Sequence, residues 1–320
     1  MKRLVSLLAL GLALCLAGCS SGAKESSLSP ATTAPTQSLA PITTPAAAST
    51  PGSTSIPATT PAATQPTPEI TQPEPQDDDF VRVLDYIPDM AVELRYATER
   101  NFTGQRIYAF SELWLRYGTV KKLMLVQDEL RQKGLSLKIW DGFRPTSAQF
   151  QLWNVCPDPK YVSDPHKGFS SHSRGNTVDI TLLDGGGAEL EMPTGFDDFS
   201  ALADRDYSDC PREAAENAIF LEQLMLRHGF KPYSGEWWHF SDTQAYPVEE
   251  DFEPVEAKIF CADCEAYITL RTAPSICAPA ITAIAADETF QILALQGDFA
   301  LVEYQNLLGY VLQSYTKPIG

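Results

Sequence analysis

Thr177-Val178-Asp179-Ile180-Thr181-Leu182-Leu183 alternates with a period of two, placing Val178, Ile180 and Leu182 on one side. That period is the mark of a strand with one face in a core. Asp179 has the opposite parity, so its carboxylate points away from that face, where a ligand group should point. The loop just upstream reads Ser170-Ser171-His172-Ser173-Arg174-Gly175-Asn176. Moving outward, Leu135, Leu137 and Ile139 alternate as a second strand that stops at the turn Asp141-Gly142. Residues 119–133 carry Val120, Leu123, Met124, Gln127 and Leu130 at helical spacing and are closed by Gly134. Residues 147–155 read as a second helix. Residues 211–228 form a third, with Pro211 at its start, Ile219, Leu221, Leu224 and Met225 within, and Gly229 as its stop. Residues 230–233 and 237–241 read as strands. Helices and strands interleave without a βαβ rhythm, which gives an α+β domain over residues 78–258, expected around a small central antiparallel sheet.

The flanks differ in composition. Met1-Lys2-Arg3 is basic, and an apolar run from Leu4 ends in Leu16-Ala17-Gly18-Cys19. This describes a signal peptide over residues 1–18, too short for a spanning helix. Residues 19–77 are almost entirely Ser, Thr, Pro, Ala, Gly and Gln. Such a segment cannot bury a core and reads as a disordered stalk, with an r.m.s. reach of roughly 40 Å. After residue 266 come short β segments at 267–270, 291–295, 299–304 and 309–311, with Gly297-Asp298 and Asn306 marking turns. About fifty residues of short strands suggest a small barrel. The whole chain has 320 residues and a formal net charge of −17. An acidic chain repels phosphates, so a nucleic acid partner is excluded. Hydrophobic residues make up 44%, enough for a core once the stalk is set aside.

Seven cysteines fit export. Cys15 leaves with the signal. Cys156 and Cys210 are expected to pair, and Cys261-Ala-Asp-Cys264 to close a local disulfide rather than a metal site, since a structural zinc site takes four ligands. The odd count leaves one thiol over.

The chemistry sits in two segments: the loop around His172, and Gly235-Glu236-Trp237-Trp238-His239-Phe240. His172, Asp179 and His239 would give two imidazoles and one carboxylate, a catalytic zinc set with one position open. Glu236 has the chemistry of a general base beside such a metal. On a flat strand Glu236 and His239, three apart, would face opposite sides, so the segment must bend or begin at Glu236. Arg144, in Trp140-Asp141-Gly142-Phe143-Arg144-Pro145, is a candidate for stabilising an oxyanion. Each piece also has a bland reading. Single strand histidines are commonly structural, Asp141-Gly142 alone is a turn, and Trp237 and Trp238 suit a core and pocket wall. His166 in a polar loop and His228 at a helix C-terminus are assigned to structure.

Taken together, Tyr96-Ala97-Thr98, Asn101-Phe102-Thr103-Gly104, the Trp140–Pro145 segment, Ser170-Ser171-His172-Ser173-Arg174-Gly175 and Glu236-Trp237-Trp238-His239 resemble the zinc D-Ala-D-Ala dipeptidase family of the vancomycin-resistance type, over about residues 81–254. The resemblance implies one Zn2+ on His172, Asp179 and His239, Glu236 as base, and Arg144 on the tetrahedral intermediate. It implies Ser170 at the substrate carboxylate, Asp197 at its free amine, and Tyr96 lining a small pocket. The Asp197 match is looser, because Gly185-Gly186-Gly187 shifts the spacing and Asp198 is adjacent. Leu16-Ala17-Gly18-Cys19 resembles a bacterial lipobox, implying lipid on Cys19 and an extracytoplasmic chain anchored to the membrane. Leu270-Arg271-Thr272-Ala273-Pro274-Ser275 with Leu308-Gly309-Tyr310-Val311 resembles SH3-like wall-binding domains. That would make residues 266–320 an all-β barrel with peptidoglycan as partner, although Phe299 and Tyr310 stand where the family commonly has tryptophan. Three functions remain open at this point: hydrolysis of free D-Ala-D-Ala, a D,D-carboxypeptidase trimming peptidoglycan stems, and a non-catalytic wall-binding lipoprotein. The stalk and C-terminal unit favour a wall substrate; the Asn-Phe-Thr-Gly and Asp-Gly-Phe-Arg-Pro segments favour the dipeptidase.

Overall fold

The structure is a computed structural model and describes residues 71–319. The expected signal peptide, Cys19 and most of the expected stalk lie outside the described residues. Among the described residues, no helix is long and apolar enough to cross a membrane.

In chain order the elements are β1 (Phe80–Arg82), β2 (Ala91–Val92), β3 (Trp114–Arg116), α1 (Tyr117–Arg131), β4 (Ser136–Asp141), α2 (Thr146–Val155), β5 (Thr177–Leu183), α3 (Arg212–Arg227), β6 (Phe230–Tyr233) and β7 (Glu236–Asp242). An all-β region follows: β8 (Phe252–Ala262), β9 (Tyr267–Arg271), β10 (Ala280–Ala285), β11 (Thr289–Gln296), β12 (Phe299–Tyr304), β13 (Leu307–Leu312) and β14 (Thr316–Pro318).

The site is built on a five-stranded sheet of order β2-β4-β5-β7-β6. It is antiparallel except at one edge, where β2 runs parallel to β4, so the expected antiparallel sheet is mixed. A two-residue strand carries too little pattern to reveal its direction. Central β5 is buried along its whole length. Helix α1 packs on β3 and β4, and α3 packs on β6 and β7. The buried aliphatic residues of α1, Val120, Leu123, Val126 and Leu130, form one stripe at helical spacing. In α3 the stripe is Ala214, Ala218, Leu221, Leu224 and Met225, while Ile219 faces outward at 41% exposure.

The C-terminal sheet has seven antiparallel strands in the order β10-β9-β13-β12-β11-β8-β14. β10 and β14 stand at its two edges and do not pair, so among the described residues the expected small barrel is an open sheet. Its first strand starts at Phe252, inside the range expected for the α+β domain, because β8 pairs along its length with β11 and at its end with β14. The sequence concealed this strand: its centre is exposed and charged, without a clean alternation. The two sheets share one core. Phe252, Leu293, Ala294, Phe299, Leu301 and Tyr310 join the cluster that contains Val178, Ile180 and Trp237. Phe80 is the hinge pin of this packing. It stacks on Phe252 with ring centroids 4.4 Å apart and lies 4.5 Å from Phe143. Truncating such a buried ring to alanine costs about 3–5 kcal/mol. Gly175 accommodates it: φ there is +72°, and a Cβ would meet Phe80 at 2.4 Å. At the start of the described chain, the Gln72 side chain closes on the backbone of Leu308 in both directions. Gln72 Nε2 donates to Leu308 O at 3.1 Å, and Leu308 N donates to Gln72 Oε1 at 2.6 Å.

All five cysteines among the described residues are free thiols, which corrects both expected disulfides. Cys210 Sγ donates to Tyr207 O at 3.4 Å instead of meeting Cys156. Cys261 is buried on β8, and Cys264 packs separately against the C-terminal core.

Candidate metal centre and substrate pocket

Strand register places three of the polar groups in one row. Asp141 on β4 is paired with Asp179 on β5, and Asp179 is paired with His239 on β7. Side chains directly opposite on adjacent strands are neighbours. His172 reaches the row from a 3₁₀ turn, Ser171–Arg174. Ser170 caps this turn by accepting from His172 N at 3.4 Å, and Gly175 in the left-handed conformation ends it.

The donor atoms converge. His172 Nε2 is 3.4 Å from Asp179 Oδ2 and 3.3 Å from His239 Nδ1, and His239 Nδ1 is 3.0 Å from Asp179 Oδ1. A tetrahedral ion with bonds of about 2.0–2.1 Å has edges of roughly 3.3 Å, so these spacings fit zinc. The tautomers fit as well. His172 Nδ1 donates to Gly142 O at 2.8 Å, and His239 Nε2 contacts Ser171 Oγ at 3.2 Å. With those nitrogens engaged outside the cluster, His172 Nε2 and His239 Nδ1 turn their lone pairs inward. Asp179 Oδ1 is buried without a hydrogen-bond donor. Three acceptors facing one another inside a protein are unfavourable unless a cation lies among them. Without a cation, burial acts to raise the Asp179 carboxyl, and protonated His172 and His239 outweigh it and hold the group below the usual carboxylate range; a bound cation would take over their charge.

The bend required between Glu236 and His239 is present as a bulge. β6 and β7 pair regularly through Pro232↔Phe240 and resume at Tyr233↔Glu236, so residues 237–239 have no partner on β6. The extra residues turn Glu236 to the side of His239, with Oε2 3.4 Å from Nδ1. Burial and the Asp179 carboxylate push the Glu236 carboxyl above its ordinary range, which suits a group that must pick up a proton.

Arg144 is buried beside this cluster. Its Nη2 donates to Asp141 Oδ2 at 2.5 Å, its Nε to Tyr108 Oη at 3.3 Å and its Nη1 to Gln149 Oε1 at 3.2 Å. A guanidinium has five N–H donors, so two remain for a bound molecule. Tyr96 is buried with its ring under the guanidinium, 5.0 Å from Arg144 Cζ, and its Oη donates to Asp197 Oδ2 at 3.0 Å. Asp197 adopts φ +56°, unusual for a residue with a side chain. Burial, and next the Asp179 carboxylate, push its carboxyl up to about 8.

One cavity of about 260 Å³ contains Tyr96, Arg144, Ser170, His172, Asp179, Asp197, Glu236 and His239, so every site residue inferred from the sequence and described here faces the same space. Lys160, Tyr161, Phe199, Tyr233 and Trp238 are among the residues that form the rest of its wall. The histidines assigned to structure stay out of it: His228 Nε2 lies 2.9 Å from Glu129 Oε2, and His166 packs edge-on to Phe150. Sequence reasoning missed Asp141, Tyr108 and Gln149. Asp141 reads locally as part of a turn, yet it is fully buried and its Oδ2 stands 3.6 Å from His172 Nδ1. Its only signal was its position three residues before Arg144.

The family model described as D-ala-D-ala dipeptidase, Peptidase M15, matches residues 76–261. The D-alanyl-D-alanine dipeptidase of Escherichia coli (strain K12) is 39% identical over 166 residues, covering 51% of this chain and 86% of that protein. The D-alanyl-D-alanine dipeptidase of Streptomyces coelicolor is 31% identical over 183 residues, covering 51% of this chain and 91% of that one. Among solved structures, a vancomycin-resistance D,D-pentapeptidase, VanY, in complex with Zn(II) matches with 20% identity and a TM-score of 0.29, over 41% of this chain and 74% of that chain.

Proposed function

The chain belongs to the D-ala-D-ala dipeptidase family, Peptidase M15, and from that membership we propose that it is a zinc metallopeptidase that hydrolyses D-alanyl-D-alanine. The observation that carries this reading is the meeting of a three-donor cation site, a raised carboxyl at Glu236, a partly unengaged Arg144 and the Asp197 carboxylate in one small cavity. Its volume lies just below the usual range for ligand pockets, which suits a substrate as small as a dipeptide.

Each residue then has a task. Asp197 accepts the free ammonium of the substrate, whose charge offsets the cost of ionising a buried carboxyl. Ser170 donates to the terminal carboxylate. His172, Asp179 and His239 would hold a zinc ion, which would supply a Lewis acid able to lower the pKa of water to about 7. Glu236 takes a proton from the water that attacks the peptide carbonyl. The two unengaged donors of Arg144 meet the negative oxygen that develops there. Asp141, Tyr108 and Gln149 hold the guanidinium in place for that contact. As the C–N bond breaks, Glu236 returns its proton to the departing amine, releasing two molecules of D-alanine.

The reading extends to the flanks. The basic start, the apolar run and Leu-Ala-Gly-Cys19 support export and lipid anchoring of the chain outside the cytoplasm. The seven-stranded sheet and its two sequence segments support an SH3-like module with peptidoglycan as its ligand. Replacing Cys19 by alanine should release the protein from membranes; an unchanged membrane fraction would remove the anchor.

The test of the activity uses the zinc-loaded chain with free D-Ala-D-Ala, N-acetyl-D-Ala-D-Ala and a stem pentapeptide, quantifying D-alanine. Cleavage of the free dipeptide well above the other two is the expected result. Preferential release from the pentapeptide would make the protein a D,D-carboxypeptidase and displace Asp197 from its role.

A further inference from the structure

Arg205 lies outside the segments that the sequence pointed to, in the loop that also carries Asp197. Its side chain is 11% exposed. All five of its N–H donors are engaged. Nε donates to Tyr233 O at 2.7 Å. Nη2 donates to Glu236 O at 2.9 Å and to His239 O at 3.0 Å. Nη1 donates to Glu222 Oε2 at 2.8 Å and to Tyr207 Oη at 3.2 Å. The guanidinium also lies over the Phe240 ring, 4.6 Å from its centroid.

Three of these acceptors bracket the bulge. Tyr233 faces its start across the hairpin, Glu236 opens it and His239 closes it. Pro232, the last regular partner on β6, brings no N–H to this stretch of β7. The guanidinium supplies donors where the sheet ladder does not. Its planar fork fixes the distance between the carbonyls of Glu236 and His239, and therefore how the Glu236 carboxylate stands to His239 Nδ1.

Resting on the functional reading above, we propose that Arg205 is a positioning residue for the reaction: it holds the base Glu236 and the metal ligand His239 on one side of β7, and ties the loop of Asp197 to them. It touches neither the cavity residues' reactive atoms nor the substrate. A residue acting in this way should alter metal retention and turnover together and leave substrate affinity largely alone. Lysine, with one ammonium on a flexible stem, cannot bridge three carbonyls, so the like-charged replacement should not rescue it.

The experiment compares full-length wild type, Arg205→Ala, Arg205→Lys and Glu222→Gln. Zinc affinity is measured by competition with a chelator, alongside kcat and KM for D-Ala-D-Ala and the thermal unfolding of the metal-free forms. Both Arg205 variants should bind zinc about 10–100-fold more weakly, as loss of an outer hydrogen bond to a metal site does. Their kcat should fall with KM little changed, and millimolar guanidinium ion should restore zinc affinity to Arg205→Ala. Glu222→Gln keeps the three carbonyl contacts and should bind zinc as wild type does. If Arg205→Ala does not fold, Arg205→Lys carries the same comparison. Wild-type zinc affinity and kcat in Arg205→Lys would overturn the proposal, as would an equal loss in Glu222→Gln. A wild-type chain that neither holds zinc nor cleaves the dipeptide would sink the parent reading, and this one with it.

Discussion

Asp141 and Arg144, three residues apart, form a buried ion pair at 2.5 Å, with Arg144 facing the cavity and the carboxylate fully enclosed behind it. The second face of the same carboxylate takes the Tyr108 hydroxyl at 2.6 Å. Removing one partner of such a pair strands the other charge in the interior. Asp141→Ala should therefore destabilise the fold by about 3–5 kcal/mol, measured by denaturant unfolding. Asp141→Asn keeps an acceptor and should fold, but with Arg144 less firmly held and kcat reduced. Full activity in Asp141→Asn would show that Arg144 needs no orienting partner.

Asp197 should trade stability for recognition. Its folded-state carboxyl is raised to about 8 from an ordinary 3.8. Between those values the folded chain keeps a proton that the unfolded chain has released, so stability declines as pH rises through the window. Below it both states are protonated and the penalty is absent; above it the penalty is complete. In metal-free protein, Asp197→Asn should melt higher than wild type at pH 8 and equally at pH 4. The same substitution should raise KM for D-Ala-D-Ala and narrow the preference over the N-acetylated substrate. A melting difference independent of pH would contradict the burial argument.

Glu236→Ala should leave the three metal donors intact while removing the proton acceptor. Zinc content by elemental analysis should stay at one per chain, with turnover lower by about 10²–10⁴. Turnover at the wild-type level would reassign the base. Stripping zinc from wild type should abolish turnover and lower the melting temperature, since a ligand bound only by the folded state adds about 2.7 kcal/mol at a hundredfold excess over its Kd.

Removing residues 266–319 should destabilise the catalytic domain. The truncation strips Leu293, Ala294, Phe299, Leu301 and Tyr310 from a core shared with Trp237 and Phe252. A lower melting temperature and partial loss of soluble protein are expected. A truncated chain that melts like the whole one would show the shared core to be incidental.

Much of the site was legible because its chemistry sits at fixed spacings. The parity of Asp179 against Val178 and Ile180 gave its direction, and the strand at 177–183 has the bounds expected of it. The Glu236 to His239 spacing announced that a bend was needed. What produces the bend was not legible, because it depends on a missing partner on β6 and on Arg205, which approaches from a loop more than thirty residues upstream. Asp141 was passed over for a related reason: Asp-Gly has a sufficient local explanation as a turn, and only tertiary packing shows its carboxylate against Arg144 and His172. The start of β8 escaped because its exposed centre breaks the alternation that marks a half-buried strand. Phe299 and Tyr310, which stand where SH3-like wall-binding domains commonly have tryptophan, pack into the shared core at 8% and 9% exposure.

The Gln72 clasp on Leu308 has a mechanical consequence. A pull on the chain from its N-terminal side meets β13 first, a strand hydrogen-bonded to β12 along its full length. Tension at residue 72 would first load these two hydrogen bonds, and would reach β1, paired with β3, only after they parted. The row of Asp141, Asp179 and His239 lies on another sheet, so the clasp can release without breaking any contact of the reactive groups.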